Sequence, residues 1–283
     1  MNYNRRSVRW IFDCSKWYPT RQDWIVASTS IQVEEKERIG KFFFKRDAKN
    51  SMAGRLLMRK FLTVYSGLHW KDIQIFRTEH GKPYFVNGND IPPLNFNISH
   101  QGNYAILAGE VGDVSVGVDI MTVEYKSGNG LSEFLRLMHK QFSADEWNIV
   151  TKKDYSEKEI CRMFYRIWCL KESYLKAIGT GLTESLKEIS FNIKDEQIQK
   201  NQFITSTEIT VRGERLDNWS FHEIMIDNDT FAAVALFPKN EVLINKFQPL
   251  TFEELVNEAE EIIPVDPVYC DTFFNKENLP NSK

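Results

Sequence analysis

Apolar and polar residues alternate along the stretch VSVGVDIMT, residues 114–122. Every second position is apolar: Val114, Val116, Val118 and Ile120. This period of two predicts a β-strand with one buried face. Asp119 stands near the end of this strand, although aspartate is a poor strand residue. Its position there indicates either a turn that follows the strand or a chemical role.

A long helix is predicted over EKEICRMFYRIWCLKESYLKAI, residues 157–178. Ser156 and Glu159 have the spacing of a capping box at its start. Gly179 follows the last turn and is a typical left-handed residue at a helix end. The apolar face of this helix comprises Ile160, Met163, Phe164, Ile167, Tyr174 and Ile178.

The first part of the chain combines short strands with helices. Residues 9–17 are predicted as a strand, and residues 28–67 as a helix, a brief turn and a long second helix. A strand, a turn with glycine and proline, and a second strand are predicted at 73–85. Two further strands separated by a polar turn are predicted at 94–111.

The second part of the chain adds helices and strands of its own. Ser143 and Glu146 form a second capping box, and Thr251 with Glu254 forms a third that begins a last short helix. Three strands are predicted at 188–194, 219–226 and 230–238. The terminal stretch NKENLPNSK, residues 275–283, is expected to be loose.

The bulk composition is that of an ordinary globular protein. The chain has 283 residues, of which 42% are hydrophobic and 27% are charged, so it can form one large domain or two modest ones. The pattern divides it into an N-terminal half at 1–112, a C-terminal half at 113–240 and a C-terminal extension at 241–283.

Charge and cysteine usage exclude several classes of protein. The net charge of -3 gives no general attraction for polyanions, so we do not expect nucleic acid among the partners. The four cysteines form no CxxC pair and are expected to be reduced thiols: Cys14, Cys161, Cys169 and Cys270. The first residues lack the apolar core of a secretory signal, and no apolar run has the length of a membrane span. We therefore expect a cytosolic protein that does not bind membranes.

Three side chains of the long helix are spaced four residues apart: Trp168, Glu172 and Lys176. They lie in one row along the helix, and Trp168 is costly to leave in water, so this row is expected to face another part of the protein. One interpretation of Glu172 and Lys176 is an exposed salt bridge. The other joins Glu172 with Asp119 as two carboxylates that hold Mg²⁺ at a phosphate, with Lys176 on a phosphate oxygen. Asp119 capping a turn remains an alternative to that metal site.

Three short motifs resemble one known enzyme family, the 4′-phosphopantetheinyl transferases. The motifs are GVDI at 117–120, WCLKESYLKA at 168–177 and FNISH at 96–100, which match G-x-D, W-x-x-K-E-x-x-x-K and a third family block. The flanking stretches 41–57, 77–83 and 264–274 resemble animal members of the larger, monomeric branch, which is typified by the surfactin synthetase activator.

This resemblance implies a reaction, a cofactor and a fold. The enzyme would move the phosphopantetheine arm of coenzyme A to a serine hydroxyl of an apo carrier protein and release adenosine 3′,5′-bisphosphate. It would require Mg²⁺. The fold implied is α+β, a pseudo-twofold pair of similar halves in which a long helix packs on a small antiparallel sheet.

The resemblance also implies roles for residues of the reacting centre. Asp119 and Glu172 would hold Mg²⁺, and Glu172 would act as general base, directly or through a bound water. Lys176 would contact the pyrophosphate, and Lys171 matches the other lysine of the motif. His100 would donate to a phosphate.

Further residues match the coenzyme A contacts of the family. Arg46 matches the residue that reaches the 3′-phosphate. One nucleotide-binding block comprises Arg77, Thr78, Glu79, His80, Gly81 and Lys82. The other comprises Asn97, Ile98, Ser99 and His100. Without the resemblance, the first block is equally an ordinary hairpin turn with solvated charges.

One position departs from the family pattern. Many bacterial members have a carboxylate two residues after the first aspartate, where this chain has Met121. A thioether does not coordinate Mg²⁺, so two protein carboxylates remain and water or substrate oxygens must complete the coordination.

The expected macromolecular partners are apo acyl carrier protein domains, those of fatty acid synthase and of related dehydrogenases. Such carriers are acidic, and the cations in KFFFKRDAK (41–49) and GRLLMRK (54–60) form a candidate patch for them. A kinase-like phosphotransferase is the first alternative function. The sequence lacks the motifs of that class, since it has no GxxxxGK[ST] loop. A carrier-binding protein without activity is the second rival.

Overall fold

The computed structural model describes residues 6–86, 88, 90–181, 185–239 and 246–278. The chain forms two compact units. Unit 1 contains the residues up to Arg77, then Pro83–Asp113, and the chain from Phe247 onward. Unit 2 contains Thr78–Lys82 and Val114–Lys246. The stretch from Phe247, predicted as a separate extension, therefore packs into unit 1.

Unit 1 contains a four-stranded sheet in the order β12-β1-β5-β4. The strands of unit 1 are β1 (Arg6–Asp13), β2 (Ile75–Arg77), β3 (Pro83–Phe85), β4 (Leu94–Gln101), β5 (Tyr104–Val111) and β12 (Gln248–Pro249). Its helices are α1 (Arg21–Thr29), α2 (Val33–Gly40), α3 (Lys45–Ser66), α7 (Phe252–Val256) and α8 (Pro267–Phe274). Strands β1, β5 and β4 are antiparallel, while β12 runs parallel to β1. The long helix α3 packs on β4 and β5, and apolar side chains between helix and sheet form the core of the unit.

Unit 2 repeats this plan with its own long helix. Its strands are β6 (Ser115–Thr122), β7 (Ile189–Asn192), β8 (Glu208–Val211), β9 (Glu214–Arg215), β10 (Ser220–Asp227) and β11 (Thr230–Phe237). Its helices are α4 (Gly128–Met138), α5 (Ala144–Val150) and α6 (Glu157–Ile178). Strands β10, β11 and β6 form an antiparallel sheet, and α6 packs on β6 and β11. The prediction of an α+β fold with two similar halves is confirmed.

The local signals at helix ends are confirmed. The capping boxes at Ser143, Ser156 and Thr251 are all formed. Gly179 ends α6 with a φ of 75°, the left-handed conformation that glycine adopts at little cost.

The helix, turn and long second helix predicted within residues 28–67 correspond to α2 and α3, whereas helix α1 was not predicted. Helix α1 begins at Arg21 after a capping box formed by Thr20 and Asp23, and it ends at Thr29. Ser28 and Thr29 are buried in its last turn, where their hydroxyls donate to the carbonyl of Ile25. These buried hydroxyls interrupt the apolar pattern at the end of α1.

The structure describes residues 275–278 of the terminal stretch. Residues 279–283 lie outside the described residues. Lys276 and Glu277, which were expected to be loose, make hydrogen bonds to the start of α3 and the end of α2. Among the described residues, no helix combines the length and the apolar character needed to cross a membrane.

Candidate active site

Strand β6 and helix α6 touch through their backbones. A Cβ atom at Gly117 would lie 2.1 Å from the carbonyl oxygen of Ser173 and 2.3 Å from the nitrogen of Ala177. Only glycine permits this approach. Because alternate residues of a strand share a face, Asp119 lies on the same side of β6 as Gly117 and faces α6. The glycine of the GVDI motif thus brings the carboxylate of the same motif to the helix.

Asp119 is paired with a lysine of the facing helix. The Lys176 ammonium lies 2.6 Å from Oδ1 of Asp119, and the Asp119 side chain is only 4% exposed. The interpretation of Lys176 as a partner of Glu172 alone on an exposed surface is therefore incomplete. Trp168, in the same row of α6, is half-buried and stacks on Phe164 with ring centroids 6.0 Å apart.

Glu172 is electrostatically coupled to Asp119. Burial raises the pKa of Glu172, the neighbouring Asp119 carboxylate raises it further, and the Lys176 ammonium opposes both effects. The Asp119 carboxylate therefore lies close enough to Glu172 to disfavour the charged form of Glu172. A divalent cation between them would remove this repulsion, so the donor set fits Mg²⁺.

The protein supplies few ligands to such a metal. Among the described residues, no group of three or more histidine, cysteine, aspartate or glutamate side chains is arranged to hold a metal ion. Met121, the next residue on this face of β6, packs against the apolar core of unit 2. Two carboxylates would hold the metal, and substrate oxygens and water would complete its coordination.

Lys171 lies elsewhere, although it is adjacent to Glu172 in sequence. Its side chain is 1% exposed, and its ammonium lies 2.8 Å from Oε2 of Glu146. The same ammonium donates to the carbonyls of Leu186 (2.9 Å) and Ile189. These core contacts contradict the expected contact of Lys171 with coenzyme A. The lysine instead joins α6 to the segments before and after it.

Lys82 contacts the end of helix α6. Its ammonium donates to the carbonyls of Lys176 at 2.6 Å and Ala177 at 3.0 Å, which belong to the last turn of α6. A lysine at this position satisfies carbonyls that have no partner within the helix. Burial lowers the pKa of Lys82 to about 8. In this structure Lys82 positions the turn that follows Lys176, a role that the sequence did not indicate.

Residues 78–81 of the RTEHGKP block form a solvent-facing turn. Thr78, Glu79 and His80 are exposed, and the amide of Gly81 donates to the carbonyl of Thr78 at 2.8 Å. Gly81 has a φ of 81°, which favours glycine. The exposed turn leaves its side chains accessible to a ligand.

Arg77, the first residue of the block, is held by a buried carboxylate. Its Nε and Nη2 donate to Oε1 of Glu35 at 2.9 and 2.7 Å. The other oxygen of Glu35 pairs with Nε of Arg55. The Glu35 side chain is 8% exposed, so two guanidinium groups share this one carboxylate inside the protein, and the three side chains together keep a net charge of +1.

A cavity of about 610 Å³ in unit 1 brings His100 beside several cations. It is lined by Glu34, Glu37, Arg38, Lys41, Phe42, Ser51, Arg55 and His100. The lining combines three permanent cations, two carboxylates and a histidine that can be protonated, so it can accept a phosphate. Arg38 and Ser51 were not singled out from the sequence, and Lys41 was singled out only as part of the candidate carrier patch. The spacing of Arg38 and Lys41 at the end of α2 was the available signal.

The NISH block is divided between the two faces of β4. His100 and Ile98 lie on the side of α3, where Ile98 approaches Gly54 and His100 lines the cavity. Asn97 and Ser99 alternate with them, so they lie on the opposite face, where both are buried. The structure therefore brings only His100 of this block to the cavity.

Three other cations of unit 1 that were singled out from the sequence differ in their exposure and contacts. Arg46, at the second residue of α3, is 49% exposed and its Nε lies 3.4 Å from Asp47. Arg59 and Lys60, which were assigned to a carrier-binding patch, are buried. Arg59 donates to the carbonyl of Ile73 at 2.9 Å, and Lys60 donates to the side chain of Asn257 at 2.9 Å. Both have structural contacts, which contradicts their assignment to the patch.

Comparison with known families decides the class of this protein. A model described as 4′-phosphopantetheinyl transferase, N-terminal, matches residues 15–112. A model of the 4′-phosphopantetheinyl transferase superfamily matches residues 115–235. The chain belongs to the 4′-phosphopantetheinyl transferase superfamily. The prediction of a phosphopantetheinyl transferase from three short motifs is thereby confirmed.

Similar proteins include vertebrate members of this family. The L-aminoadipate-semialdehyde dehydrogenase-phosphopantetheinyl transferase of Xenopus laevis is 40% identical, over 97% of this chain and 94% of its own length. The human protein of the same name is 38% identical, over 96% of this chain and 93% of its own. A phosphopantetheinyl transferase of Thraustochytrium is 36% identical over 66% of each chain. These similarities cover both units and confirm the predicted resemblance to the animal enzymes.

Proposed function

We propose that this transferase moves 4′-phosphopantetheine from coenzyme A to a serine of apo carrier proteins, with Mg²⁺ as cofactor. The serine oxygen forms a bond to the phosphorus that bears the pantetheine arm. The bond from that phosphorus to the bridging oxygen breaks, and adenosine 3′,5′-bisphosphate leaves. The cluster of Asp119, Glu172 and Lys176 is the observation that carries this proposal, because its charges suit a pyrophosphate and a divalent cation.

Asp119 and Glu172 are the residues that would hold Mg²⁺. When bound, Mg²⁺ would withdraw charge from the pyrophosphate oxygens and favour the departure of adenosine 3′,5′-bisphosphate. Lys176 lies beside Asp119 and supplies a positive charge for the same oxygens. Glu172 takes the proton of the serine hydroxyl, directly or through a water molecule. Lys82 and Gly117 keep the end of α6 and strand β6 in place around these groups.

Recognition of the nucleotide part of coenzyme A is assigned to unit 1. The 3′-phosphate is a dianion that needs several cations, and Arg38, Lys41 and His100 share one cavity there. Arg46, the second residue of α3, is exposed and is proposed to reach the 3′-phosphate. Arg77 is held in one orientation by Glu35, which suits it to a fixed contact with a phosphate.

The proposed acceptors are acyl carrier protein domains. The family acts on carrier proteins, and the vertebrate relatives are named for aminoadipate-semialdehyde dehydrogenase. We extend this to carriers of fatty acid synthase and of related dehydrogenases. We also propose a monomer in the cytosol, a location supported by four buried cysteines without disulfides.

The test is intact mass spectrometry of an apo acyl carrier protein after incubation with this protein, coenzyme A and Mg²⁺. We expect the carrier to gain one phosphopantetheine. Glu172→Gln and Asp119→Asn should each lower the rate by about 100-fold or more, the usual effect of removing a charge that stabilises the transition state. A chelator of divalent cations should have a comparable effect on the unchanged protein.

The matched control is Glu214→Gln, which removes an exposed carboxylate of β9. It should transfer phosphopantetheine at the rate of the unchanged protein. No mass gain on several carriers, with coenzyme A binding intact, would contradict transferase activity on these acceptors. Full activity of Glu172→Gln would contradict the assigned site.

A further inference from the structure

The C-terminal segment 266–277 is attached to unit 1 by several kinds of contact. The rings of Phe273 and Trp24 are stacked with centroids 3.5 Å apart, and both side chains are buried. Asp266 lies 3.0 Å from the Lys36 ammonium, which also lies 4.8 Å from the ring centroid of Tyr269. Helix α8 is therefore anchored against α1 and α2.

Beyond α8, Lys276 reaches the end of helix α2. Its ammonium donates to the carbonyl of Gly40 at 2.9 Å and to the carbonyl of Phe42. The last carbonyls of a helix lack partners within it, and a cation at this end is favoured by the helix dipole. The amides of Lys41 and Phe42 bond the carbonyls of Arg38 and Ile39, and Lys276 adds a partner for the carbonyl of Gly40.

The next residue holds the start of helix α3. The carbonyl of Glu277 accepts a hydrogen bond of 2.9 Å from the amide of Lys45, the first residue of α3. Phe44, the N-cap residue, makes no side-chain hydrogen bond to that helix end and pairs with Glu277 in a parallel bridge. The end of α2 and the start of α3 are consequently both bound by two consecutive residues of the C-terminal segment.

The connection held in this way carries part of the proposed nucleotide site. Lys41 and Phe42 line the cavity that contains His100. Lys276 binds the carbonyls of Gly40 and Phe42, which are the residues immediately before and after Lys41. Arg46 follows one residue after Lys45. A shift of the connection would therefore move Lys41 and Arg46 together.

We propose that Lys276 is a positioning residue for coenzyme A and that the segment 266–277 sets the geometry of the cations that bind the 3′-phosphate. This inference rests on the proposed function. Lys276 acts through the backbone of Gly40 and Phe42 and does not itself contact the substrate. The C-terminal segment is thus a component of the nucleotide site as well as a part of the fold.

Steady-state kinetics of Lys276→Met tests the proposal. We expect the KM for coenzyme A to rise by about three- to tenfold, the effect of two lost hydrogen bonds on the placement of the cations. The kcat and the KM for the carrier protein should not change. With 3′-dephospho-coenzyme A as donor, the variant and the unchanged protein should have the same KM. Lys276→Arg retains donors at this position and should restore most of the affinity for coenzyme A.

Lys153→Met is the matched control, because it removes an exposed lysine from the turn between α5 and α6. It should leave all these constants unchanged. A Lys276→Met protein with a lower melting temperature and an unchanged KM for coenzyme A would reduce Lys276 to a structural role and overturn the proposal. An equal rise in KM for 3′-dephospho-coenzyme A would overturn the link to the 3′-phosphate.

Circular dichroism fixes a temperature at which Lys276→Met and the unchanged protein are both folded. Calorimetric titration at that temperature with adenosine 3′,5′-bisphosphate should show the same loss of affinity as the kinetics. Equal affinities would overturn the proposal. Failure of the unchanged protein to modify any carrier would contradict the proposed function instead, and it is separate from the effect of Lys276.

Discussion

Gly117 lies directly against the backbone of Ser173, since a Cβ atom at position 117 would be 2.1 Å from the Ser173 carbonyl oxygen. Gly117→Ala must therefore push β6 away from α6. We expect the free energy of unfolding to fall by about 1–3 kcal/mol, the usual cost of an overpacked core. Activity should fall further than the folded fraction does, because Asp119 would move relative to Glu172. Denaturant unfolding and transfer rates at a temperature where the variant is folded measure the two effects.

Gly130→Ala is the control for this substitution. A Cβ atom at Gly130, in helix α4, meets no heavy atom within 4 Å. Alanine should leave the stability unchanged or raise it by up to about 1 kcal/mol through helix propensity. Equal behaviour of the two alanine variants would refute the importance of the close approach at Gly117.

Lys82 should make stability depend on pH in the alkaline range. Burial lowers its pKa from an ordinary value of 10.5 to about 8. Below pH 8 the lysine is protonated in both states, so it causes no change with pH. Between pH 8 and 10.5 the unfolded chain retains the proton that the folded chain has released, so the free energy of unfolding rises with pH.

Comparison with Lys82→Met isolates this contribution, because methionine does not titrate. The difference in unfolding free energy between the two proteins should shift in favour of lysine from pH 8 to pH 10.5, as measured by denaturant unfolding. A difference that stays constant across this range would show that the carbonyls of Lys176 and Ala177 keep Lys82 protonated.

Glu35→Gln should destabilise unit 1, because it leaves the guanidinium groups of Arg55 and Arg77 without their shared counter-charge. Breaking a buried ion pair from one side costs about 3 kcal/mol or more. Denaturant unfolding measures the loss, and Glu258→Gln, an exposed residue after α7, is the control. In a double-mutant cycle with Arg55→Met, additive effects would show that Glu35 and Arg55 do not interact.

Met121→Glu should tighten Mg²⁺ binding by about tenfold, because it adds a hard oxygen ligand on the face of β6 that carries Asp119. Titration of the transfer rate with Mg²⁺ gives the half-saturating concentration. Met121→Gln has a similar shape without the charge and should bind Mg²⁺ less tightly than the glutamate variant. An unchanged Mg²⁺ dependence in Met121→Glu would contradict the placement of residue 121 beside the metal.

Features set by neighbouring residues were predicted well. Ser156, Glu159 and Gly179 define the ends of α6 through local hydrogen bonds and backbone conformation, and both ends are as predicted. The strand that contains Asp119 was likewise evident from its period of two. Spacing and residue type offered the grouping of Asp119, Glu172 and Lys176 as one of two interpretations, and the resemblance to a family then favoured it.

Features that depend on distant partners were missed. Lys171 is turned by roughly 100° from Glu172 around the helix, and its partner Glu146 lies on another helix. Its burial was therefore not evident from the motif. The cavity beside His100 combines residues from α2, α3 and β4, and Glu35 joins two arginines from different elements. Such groupings arise only when the chain has folded.

The path of the chain through unit 1 has a consequence for synthesis on the ribosome. Unit 1 needs residues from both ends of the chain, since β12 pairs with β1 and Lys276 caps α2. Apart from the turn at 78–82, unit 2 is a continuous stretch from 114 to 246 and leaves the ribosome earlier. Domains fold as units during synthesis. The helix with Glu172 can therefore fold on the nascent chain, whereas the cap on α2 forms only once Lys276 has left the ribosome, so a chain that stops before Lys276 lacks this part of the proposed nucleotide site.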